Sequence, residues 1–242
     1  MQYLEKNEIK EIQLGILDYV DEVCKKNDIP YFLSYGTMLG AVRNKGMIPW
    51  DDDIDICMPR PDYERFIKLY SVNKGEYSIF SNRLGTLSSP FTKVVDPTTN
   101  IHSKYDTSDR YNHLWIDIFP IDGLPKKGIK RKLQEKSYLY RRMMVQLSQF
   151  NSIVNQNKAN RPWYETAIIK IAGIVKIENL LSFEKAQQKY LATIKKYSVA
   201  EGYAGNYTGA YKLIELVPSE YFGNARKLQF ETVELSVPEK YN

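Results

Sequence analysis

Apolar residues follow two different periods along the first part of the chain. Between residues 4 and 26 they recur every three or four positions, with charged residues between them: Ile9, Ile12, Ile16, Val20 and Val23. This spacing predicts an amphipathic helix that packs on a core and ends before Pro30. The aromatic run over residues 31–35 then predicts a strand, and a helix is expected over residues 38–44.

Gly36 and Thr37 predict a tight turn between that strand and that helix. Glycine lets the backbone approach a ligand, and the free N–H groups of a helix N-terminus attract phosphate. Thr37 could cap the helix or contact phosphate, Gly40 leaves room on the helix, and Arg43 could bind an anion through its guanidinium. Neither a P-loop nor a dinucleotide fingerprint is present. Taken alone, the dipeptide favours an ordinary turn.

Residues 48–58 place four aspartates within five positions of an otherwise apolar run. As a strand, this run would turn Asp51, Asp53 and Asp55 to one face and its isoleucines to the other, because successive side chains alternate. Like charges at this spacing repel one another, so the pattern favours a bound divalent cation or a cationic partner. A solvated acidic loop is the structural alternative, and the apolar neighbours of the aspartates argue against it.

Later apolar runs predict one more helix, over residues 62–70, and four short strands. The strands are expected over residues 77–82, 91–95, 98–103 and 113–120. Asp122 is predicted in a turn before a glycine. His102 and His113 lack the spacing of metal ligands and are interpreted as structural.

Two charged residues lie inside these predicted strands. Lys93 is interpreted as the ordinary polar member of an alternating pair. Asp117 lies between two isoleucines, where a carboxylate is costly unless it is paired, hydrogen-bonded or bound to a metal. We therefore predict Asp117 as the third ligand of a metal site that also contains Asp53 and Asp55.

The second half of the chain is largely helical. Residues 127–150 predict a long basic helix, residues 151–160 a linker, and residues 161–198 two more helices. The apolar part of residues 161–177 is interrupted only by lysines. A buried core helix is favoured there, and a helix lying in a membrane interface is the alternative. Alternation over residues 228–237 predicts a bulged strand or a tight hairpin.

Composition narrows the class of protein. The chain has 242 residues, of which 43% are hydrophobic and 26% charged, as in an ordinary soluble globular protein. Cys24 and Cys57 lack metal-ligand spacing, which suits a reducing compartment. No leader segment and no run of eighteen apolar residues is visible, so a cytoplasmic protein is expected.

Charge is divided unevenly between the two halves. Residues 1–122 carry 14 Lys and Arg against 19 Asp and Glu, whereas the remaining residues carry 20 against 10. The balances are therefore −5 and +10, and the basic half suits an anionic partner. Nucleic acid is not expected as a partner, because the basic residues lie on predicted helices without a known nucleic-acid-binding motif.

Together these features resemble a known family pattern. A hydrophobic-Gly-[Gly/Ser] turn, an [Asp/Glu]-hydrophobic-[Asp/Glu]-hydrophobic strand and a later lone acidic residue are typical of the nucleotidyltransferase fold; Thr37 departs from it at the Gly/Ser position. Four longer stretches resemble the LicD family of phosphotransferases, to which fukutin-related protein is distantly similar. They are YGTMLGAVR (35–43), KGMIPWDDDIDI (45–56), FTK (91–93) and IDIFPIDG (116–123).

The resemblance implies an α+β fold, in which a nucleotidyltransferase-like mixed β-sheet is flanked by helices and extended by a basic helical region. It divides the chain into a catalytic core (1–125), the basic helical region (126–200) and a β segment that returns to the core (201–242). It also implies Mg²⁺-dependent transfer of a phospho-alcohol, with phosphocholine favoured, from a CDP-linked donor such as CDP-choline. The acceptor would be a sugar hydroxyl of a lipid-linked or polymeric glycan such as teichoic acid or lipopolysaccharide, and CMP would be released.

The same resemblance assigns roles to residues of this chain. The catalytic metal ligands, for Mg²⁺ or alternatively Mn²⁺, would be Asp53, Asp55 and Asp117. The residues expected to bind the donor's phosphates are Gly36, Thr37, Gly40, Arg43 and Lys93. The residues expected to support the metal ligands are Trp50, Asp51 and Asp52.

Three further expectations concern partners and rival functions. Residues 161–177 would allow peripheral contact with the inner face of the membrane. A nucleotidyltransferase that moves a nucleoside monophosphate remains an alternative. The other alternative function is that of a non-catalytic module that binds anionic glycopolymer or membrane.

Overall fold

The computed structural model describes residues 4–72, 75–87, 89–100, 113–153, 162–209 and 211–241. The helices are α1 Lys6–Lys26, α2 Tyr35–Asn44, α3 Arg60–Val72, α4 Ile129–Leu147, α5 Phe150–Ile153, α6 Trp163–Ile174 and α7 Phe183–Ile194. The strands are β1 Phe32–Leu33, β2 Asp55–Pro59, β3 Ser78–Ser81, β4 Thr92–Val95, β5 Trp115–Pro125, β6 Gly202–Gly205, β7 Val217–Pro218, β8 Arg226–Phe230 and β9 Val233–Val237. This combination confirms the predicted α+β class.

Helix α1 forms where its sequence predicts it. A capping box joins Glu5 and Glu8 at its start, and two lysines lie in its last turn, where cations favour the negative end of the helix dipole. Its buried apolar residues follow the predicted spacing: Ile16, Leu17, Val20 and Cys24. The helix covers one face of the sheet.

Seven strands form one mixed sheet, in which β2 and β5 are parallel neighbours. The order is β1–β2–β5–β4–β3, and β6 pairs with the end of β5 and with β7. Strands β1, β4 and β6 run antiparallel to their neighbours. Strand β5 therefore contacts β2, β4 and β6 and is the centre of the sheet.

The side chains of β2 and β5 alternate between the two faces of this sheet. One face is buried in a core with α1 and α3 through Ile56, Met58, Ile116 and Ile118. The other face, which we call the carboxylate face, carries Asp55 and Asp117. Because a slip of one residue would turn both aspartates into the core, burial of the isoleucines fixes their register.

The predicted strand over residues 48–58 was wrong in its first part. Strand β2 begins only at Asp55, and the stretch over residues 49–54, which we call the acidic loop, precedes it. Pro49 has no N–H to donate to a strand ladder. The Ile48 carbonyl instead accepts the Asp51 N–H at 2.9 Å and forms a turn.

The predicted boundary between β1 and α2 was also wrong. Helix α2 begins at Tyr35, so Gly36 and Thr37 lie in its first turn and the strand before it is only two residues long. Tyr35 has φ 48°, in the left-handed region, which lets the chain change from strand to helix within one residue.

Asp122 does not lie in the turn that the sequence predicts. It belongs to β5, which continues because β6 pairs with it, and its Oδ1 accepts a hydrogen bond from Arg60 Nε at 2.7 Å. Both side chains are buried.

Residues 98–100 form no strand, and the rest of the predicted strand over 98–103, with His102, lies outside the described residues. His113 Nδ1 contacts the Thr99 carbonyl.

The second half packs on the sheet through α4 and α7. Tyr138, Tyr190 and Ile194 of these helices form a core with Leu124 of β5 and with Tyr207. The predicted linker begins within α5, and residues 154–160 lie outside the described part of the chain.

Helix α6 is not the buried helix that the sequence favoured. Ala172 is its buried residue, whereas Trp163 and Ile174 are each 81% exposed. No helix among the described residues is long and apolar enough to cross a membrane.

Strands β8 and β9 form the predicted C-terminal hairpin, whose apolar residues enter the main core. In its turn, the Glu231 N–H donates to the Lys45 carbonyl at 2.7 Å, and the Glu231 carboxylate accepts from the Met47 N–H at 2.8 Å. The hairpin thus holds the turn that leads into the acidic loop. The division of the chain at residues 125 and 200 stays a prediction.

Candidate active site

The carboxylate face brings Lys93, Asp117 and Asp55 into one row. Asp55 and Asp117 are paired directly across the parallel strands β2 and β5, and Lys93 is paired with Asp117 across β4 and β5. Neighbouring strands are about 5 Å apart, so paired side chains on the same face can interact. We call these three residues the carboxylate row.

Asp117 is the largely buried centre of the carboxylate row. Its side chain is 13% exposed, and Lys93 Nζ lies 3.7 Å from its Oδ1. That oxygen has no hydrogen-bond partner among the described residues. Lys93 Nζ also lies 3.5 Å from the centroid of the Trp115 ring. Burial raises the pKa of Asp117 to about 6, while the positive charge of Lys93 opposes the increase.

Asp55 connects the carboxylate row to α2. Its N–H donates to Thr37 Oγ1 at 2.8 Å, and its carbonyl accepts the Ser34 N–H at 3.0 Å. Burial raises the pKa of the Asp55 carboxyl to about 8, and the charges of Asp53 and Asp117 add to the increase. The ionised form of Asp55 therefore favours a cation beside it.

The acidic loop adds a second group of carboxylates. Asp51, Asp52 and Asp53 bring ligand oxygens within 4.8 Å of one another. The sequence predicted Asp53 on the same strand as Asp55. The structure instead places Asp53 in the acidic loop, before β2 begins. Burial and then the charges of Asp51 and Asp52 raise the pKa of Asp53. Gln13 of α1 donates to the Asp52 carbonyl at 2.9 Å and anchors the loop.

Gly36 allows Asp51 to approach the first turn of α2. A Cβ at residue 36 would lie 2.3 Å from Asp51 Oδ2, so any other residue would displace the Asp51 carboxylate. The N-terminus of a helix favours a negative charge. The structure places an aspartate of the chain itself where the sequence predicted a phosphate of the donor.

The other predicted phosphate-binding residues on α2 lie elsewhere or have other contacts. The buried Thr37 accepts the Asp55 N–H and does not cap the helix. A Cβ on Gly40 would lie 2.4 Å from the Gly46 carbonyl oxygen, so Gly40 allows close packing of the following turn. Arg43 is exposed in the last turn of α2, about 9 Å along the helix from Thr37. Trp50 is 76% exposed, and its support of the metal ligands stays a prediction.

The residues present fit a divalent cation. The carboxylate row and the acidic loop together contain one ammonium, that of Lys93, and five carboxylates: Asp51, Asp52, Asp53, Asp55 and Asp117. The Oδ1 atom of Asp117 is buried without a hydrogen-bond partner in the described part of the protein. Carboxylate oxygens are the ligands that Mg²⁺ prefers. The excess of negative charge and the Asp117 oxygen that lacks a hydrogen bond both suit such an ion.

Comparison with known proteins identifies the family. Residues 28–166, more than half of the chain, match the family model described as "LicD/FKTN/FKRP, nucleotidyltransferase domain". The chain belongs to the LicD family. The matched region contains α2, the acidic loop and the carboxylate row, and the family that the sequence predicted is confirmed.

Individual relatives agree with this LicD assignment. The chain is 30% identical over its whole length to the lipopolysaccharide cholinephosphotransferase LicD of Haemophilus influenzae, and covers 89% of that protein. An uncharacterized protein of Rickettsia typhi is 29% identical over 61% of the chain and 45% of its own length. An uncharacterized protein of Rickettsia prowazekii is 51% identical over 41 residues, which are 17% of the chain and 15% of that protein. This LicD-family protein is a transferase.

Sequence reasoning missed the residues that border the carboxylate face beyond Asp55. The Tyr35 ring packs on Phe119 at a centroid distance of 5.4 Å. Its hydroxyl donates to Glu215 and accepts from Asn206 at 2.8 Å. Glu215 is 180 residues from Tyr35 in the chain, so no local pattern could connect them.

Proposed function

We propose that this LicD-family transferase moves phosphocholine from CDP-choline to a sugar hydroxyl of a cell-surface glycan such as lipopolysaccharide or teichoic acid, and releases CMP. The direct pairing of Asp55 with Asp117 carries the proposal, because it joins two distant parts of the family's pattern in one site. The full-length similarity to a lipopolysaccharide cholinephosphotransferase supports the choice of phosphocholine and of the acceptor.

Asp53, Asp55 and Asp117 are the residues that we expect to hold Mg²⁺. When bound, the ion supplies positive charge against the diphosphate of the donor and the leaving CMP. Asp51 and Asp52 lie close enough to Asp53 to orient it.

The chain's own residues have three tasks in this reaction. The acceptor oxygen forms a bond to the phosphorus that carries choline, and the bond from that phosphorus to the CMP oxygen breaks. We assign the Asp117 carboxylate as the acceptor of the hydroxyl proton, through the oxygen that does not hold the ion, because this buried group includes an atom without a hydrogen-bond partner among the described residues, Oδ1. Lys93, 3.7 Å from that atom, offsets negative charge beside it. Thr37 holds Asp55 in position through the hydrogen bond to its backbone.

The products distinguish this proposal from the alternative of nucleotidyl transfer. Purified protein would be incubated with Mg²⁺, CDP-choline labelled in the choline methyl groups, and lipopolysaccharide lacking phosphocholine. We expect free CMP in amounts equal to the label on the glycan. Nucleotide attached to the acceptor would support the nucleotidyltransferase instead, and turnover without Mg²⁺ would contradict the metal site.

Contact with the inner face of an anionic membrane is the second part of the proposal. Helix α6 exposes Trp163, Ile171 and Ile174 at 81%, 61% and 81%, and exposed lysines at positions 170 and 176 lie beside them. An exposed apolar face flanked by lysines is typical of a helix that lies in the interface of an anionic bilayer. Such contact would bring the site close to a lipid-linked acceptor.

Vesicle binding tests this contact. We expect the protein to sediment with vesicles that contain phosphatidylglycerol, with a blue shift of tryptophan fluorescence, and to bind less in high salt. Replacing both Ile171 and Ile174 with Ser should weaken binding by about tenfold. Ile214→Ser, at a residue that is 84% exposed elsewhere on the protein, is the matched control. Equal binding by the two variants would contradict the role of α6.

A further inference from the structure

A cavity lies beside the carboxylate row, on the same face of the sheet. Its volume is about 440 Å³, and Cys57 and Ile121 form part of its wall. Cys57 follows Asp55 by two residues and so projects from the same face, about 7 Å further along β2. The cavity therefore begins where the carboxylate row ends.

Aromatic side chains form much of the remaining wall: Tyr35, Tyr221, Phe222 and Tyr241. The face of an aromatic ring carries partial negative charge and attracts cations. Lys240 shows such a contact here, since its Nζ lies 5.1 Å from the centroid of the Tyr221 ring. Glu220 pairs with the same ammonium at 2.8 Å and offsets its charge.

Glu215 gives the cavity a fixed negative charge. Its carboxylate accepts a hydrogen bond from the Tyr35 hydroxyl, which Asn206 contacts in turn. Glu215 forms no salt bridge within the described ranges of the chain. A carboxylate among aromatic rings is a combination that suits a quaternary ammonium, which cannot donate a hydrogen bond.

Ser34 marks the end of the cavity nearest to Asp55. Its N–H donates to the Asp55 carbonyl, and its side chain is a lining residue that is 9% exposed. The hydroxyl is buried, and within the described part of the chain its neighbour within hydrogen-bond reach is the weakly polar thiol of Cys57. Ser34 precedes α2 without capping it. A hydroxyl in this position is free to donate to a phosphoryl oxygen.

Tyr35 lies at the border of the carboxylate row and the cavity, because its ring packs on Phe119 of β5, two residues after Asp117 on the same face. Its left-handed backbone, with φ 48°, costs about 1–3 kcal/mol for a bulky residue and persists only where the surroundings impose it. Here the contacts with Phe119, Glu215 and Asn206 hold the ring in place. Such strained residues are concentrated at functional sites.

We propose that this cavity binds the cationic head group of the donor. The quaternary ammonium of choline would lie among Tyr35, Tyr221 and Tyr241 beside Glu215, and Ser34 would donate to an oxygen of the attached phosphate. The inference rests on the proposed function, because it takes its ligand from phosphocholine transfer. It goes beyond that function by assigning the residues that select a cationic alcohol.

Isothermal titration with two ligands tests this assignment. CDP-choline and CDP would each be titrated with Mg²⁺ into wild type, Glu215→Gln and Tyr241→Leu. Glutamine can still accept the Tyr35 hydrogen bond but carries no charge. We expect each substitution to lower the affinity for CDP-choline by about tenfold and to change the affinity for CDP by no more than about twofold. Glu234→Gln, at an exposed residue of β9, is the matched control, and thermal unfolding confirms that each variant is folded.

The outcomes separate this inference from the proposed function. Suppose that wild type turns over CDP-choline. If the variants then lose equal affinity for both ligands, or if Glu215→Gln loses none, the cavity assignment alone is overturned. If wild type neither binds nor turns over CDP-choline, the proposed function fails, and tetramethylammonium becomes the probe of the cavity. Binding of tetramethylammonium to wild type, weaker in Glu215→Gln, would then support a cation site, and its absence would overturn it.

Discussion

Asp55 is the carboxyl group of the site whose pKa is raised to the highest value given above. Its carboxyl has a pKa raised to about 8 by burial and by Asp53 and Asp117. A folded protein that holds this proton more tightly than the unfolded chain gains stability at low pH. That contribution is fully present below about pH 4, the ordinary range of an aspartate, and is lost as the pH rises through 8.

Metal-free protein should therefore become less stable between about pH 5 and pH 8. We expect its melting temperature in EDTA to fall by a few degrees over this range, and Asp55→Asn to remove most of the change. Added Mg²⁺ should restore the melting temperature of wild type most strongly at pH 8, where the carboxylates are ionised. A melting temperature that rises over this range in wild type would contradict the buried charge at Asp55.

Thr37 offers a second test that concerns one hydrogen bond. Its hydroxyl accepts the Asp55 N–H at 2.8 Å and is buried. Thr37→Val keeps the shape but leaves a buried donor unpaired, which should lower the free energy of unfolding by about 1–3 kcal/mol. Urea denaturation measures the loss. Thr37→Ser, which keeps the hydroxyl, is the control, and similar losses in both variants would show that packing and not the hydrogen bond is responsible.

Helix α3 is joined to the sheet by a buried ion pair on the face opposite the carboxylate row. Arg60 begins the helix and binds Asp122 of β5. Glu64, one turn later, contacts Arg83 at 2.8 Å and also Lys195, which directly follows α7. These contacts connect α3 with β5 and with the basic helical region. They explain why a carboxylate is tolerated in the buried part of β5.

Removing one partner of this pair should destabilise the protein strongly. Asp122→Asn leaves the buried Arg60 charge with Glu64, 3.7 Å away, in place of its closer counterion, so we expect a loss of about 3 kcal/mol in the free energy of unfolding. Asp62→Asn, which breaks the more exposed pair with Arg65 in the same helix, should cost at most about 1 kcal/mol. Urea denaturation of both variants gives the comparison. Equal, small losses would contradict the role of the buried pair.

Local patterns predicted the main elements well but not their ends. The apolar spacing in α1 and the alternation in β5 and in the C-terminal hairpin reflect burial of one face, which a sequence records directly. The start of β2 at Asp55 and of α2 at Tyr35 depends on hydrogen bonds between distant residues. The exposure of α6 was not predictable either, because apolar composition alone does not distinguish a helix buried in the core from a helix exposed on the surface.

The site combines residues from the whole length of the protein. The sequence predicted Asp55 and Asp117 because carboxylates in apolar runs are costly, and the family pattern connected them. Their direct pairing across β2 and β5 depends on the register of the two strands. This register cannot be predicted from the individual residues. The sequence analysis did not single out Glu215 or Ser34. Glu215 lies between Ile214 and Leu216 but in no motif of the family pattern, and Ser34 resembles an ordinary helix cap.

Isothermal titration of CDP-choline, with and without Mg²⁺, tests most directly whether the carboxylate row and the acidic loop form a metal-dependent donor site. Wild type should bind CDP-choline with Mg²⁺ and lose at least about tenfold in affinity with EDTA. Asp55→Asn and Asp117→Asn should bind weakly in both conditions, while the control Asp62→Asn should behave as wild type. Equal binding with and without Mg²⁺ by wild type and both site variants would contradict the account.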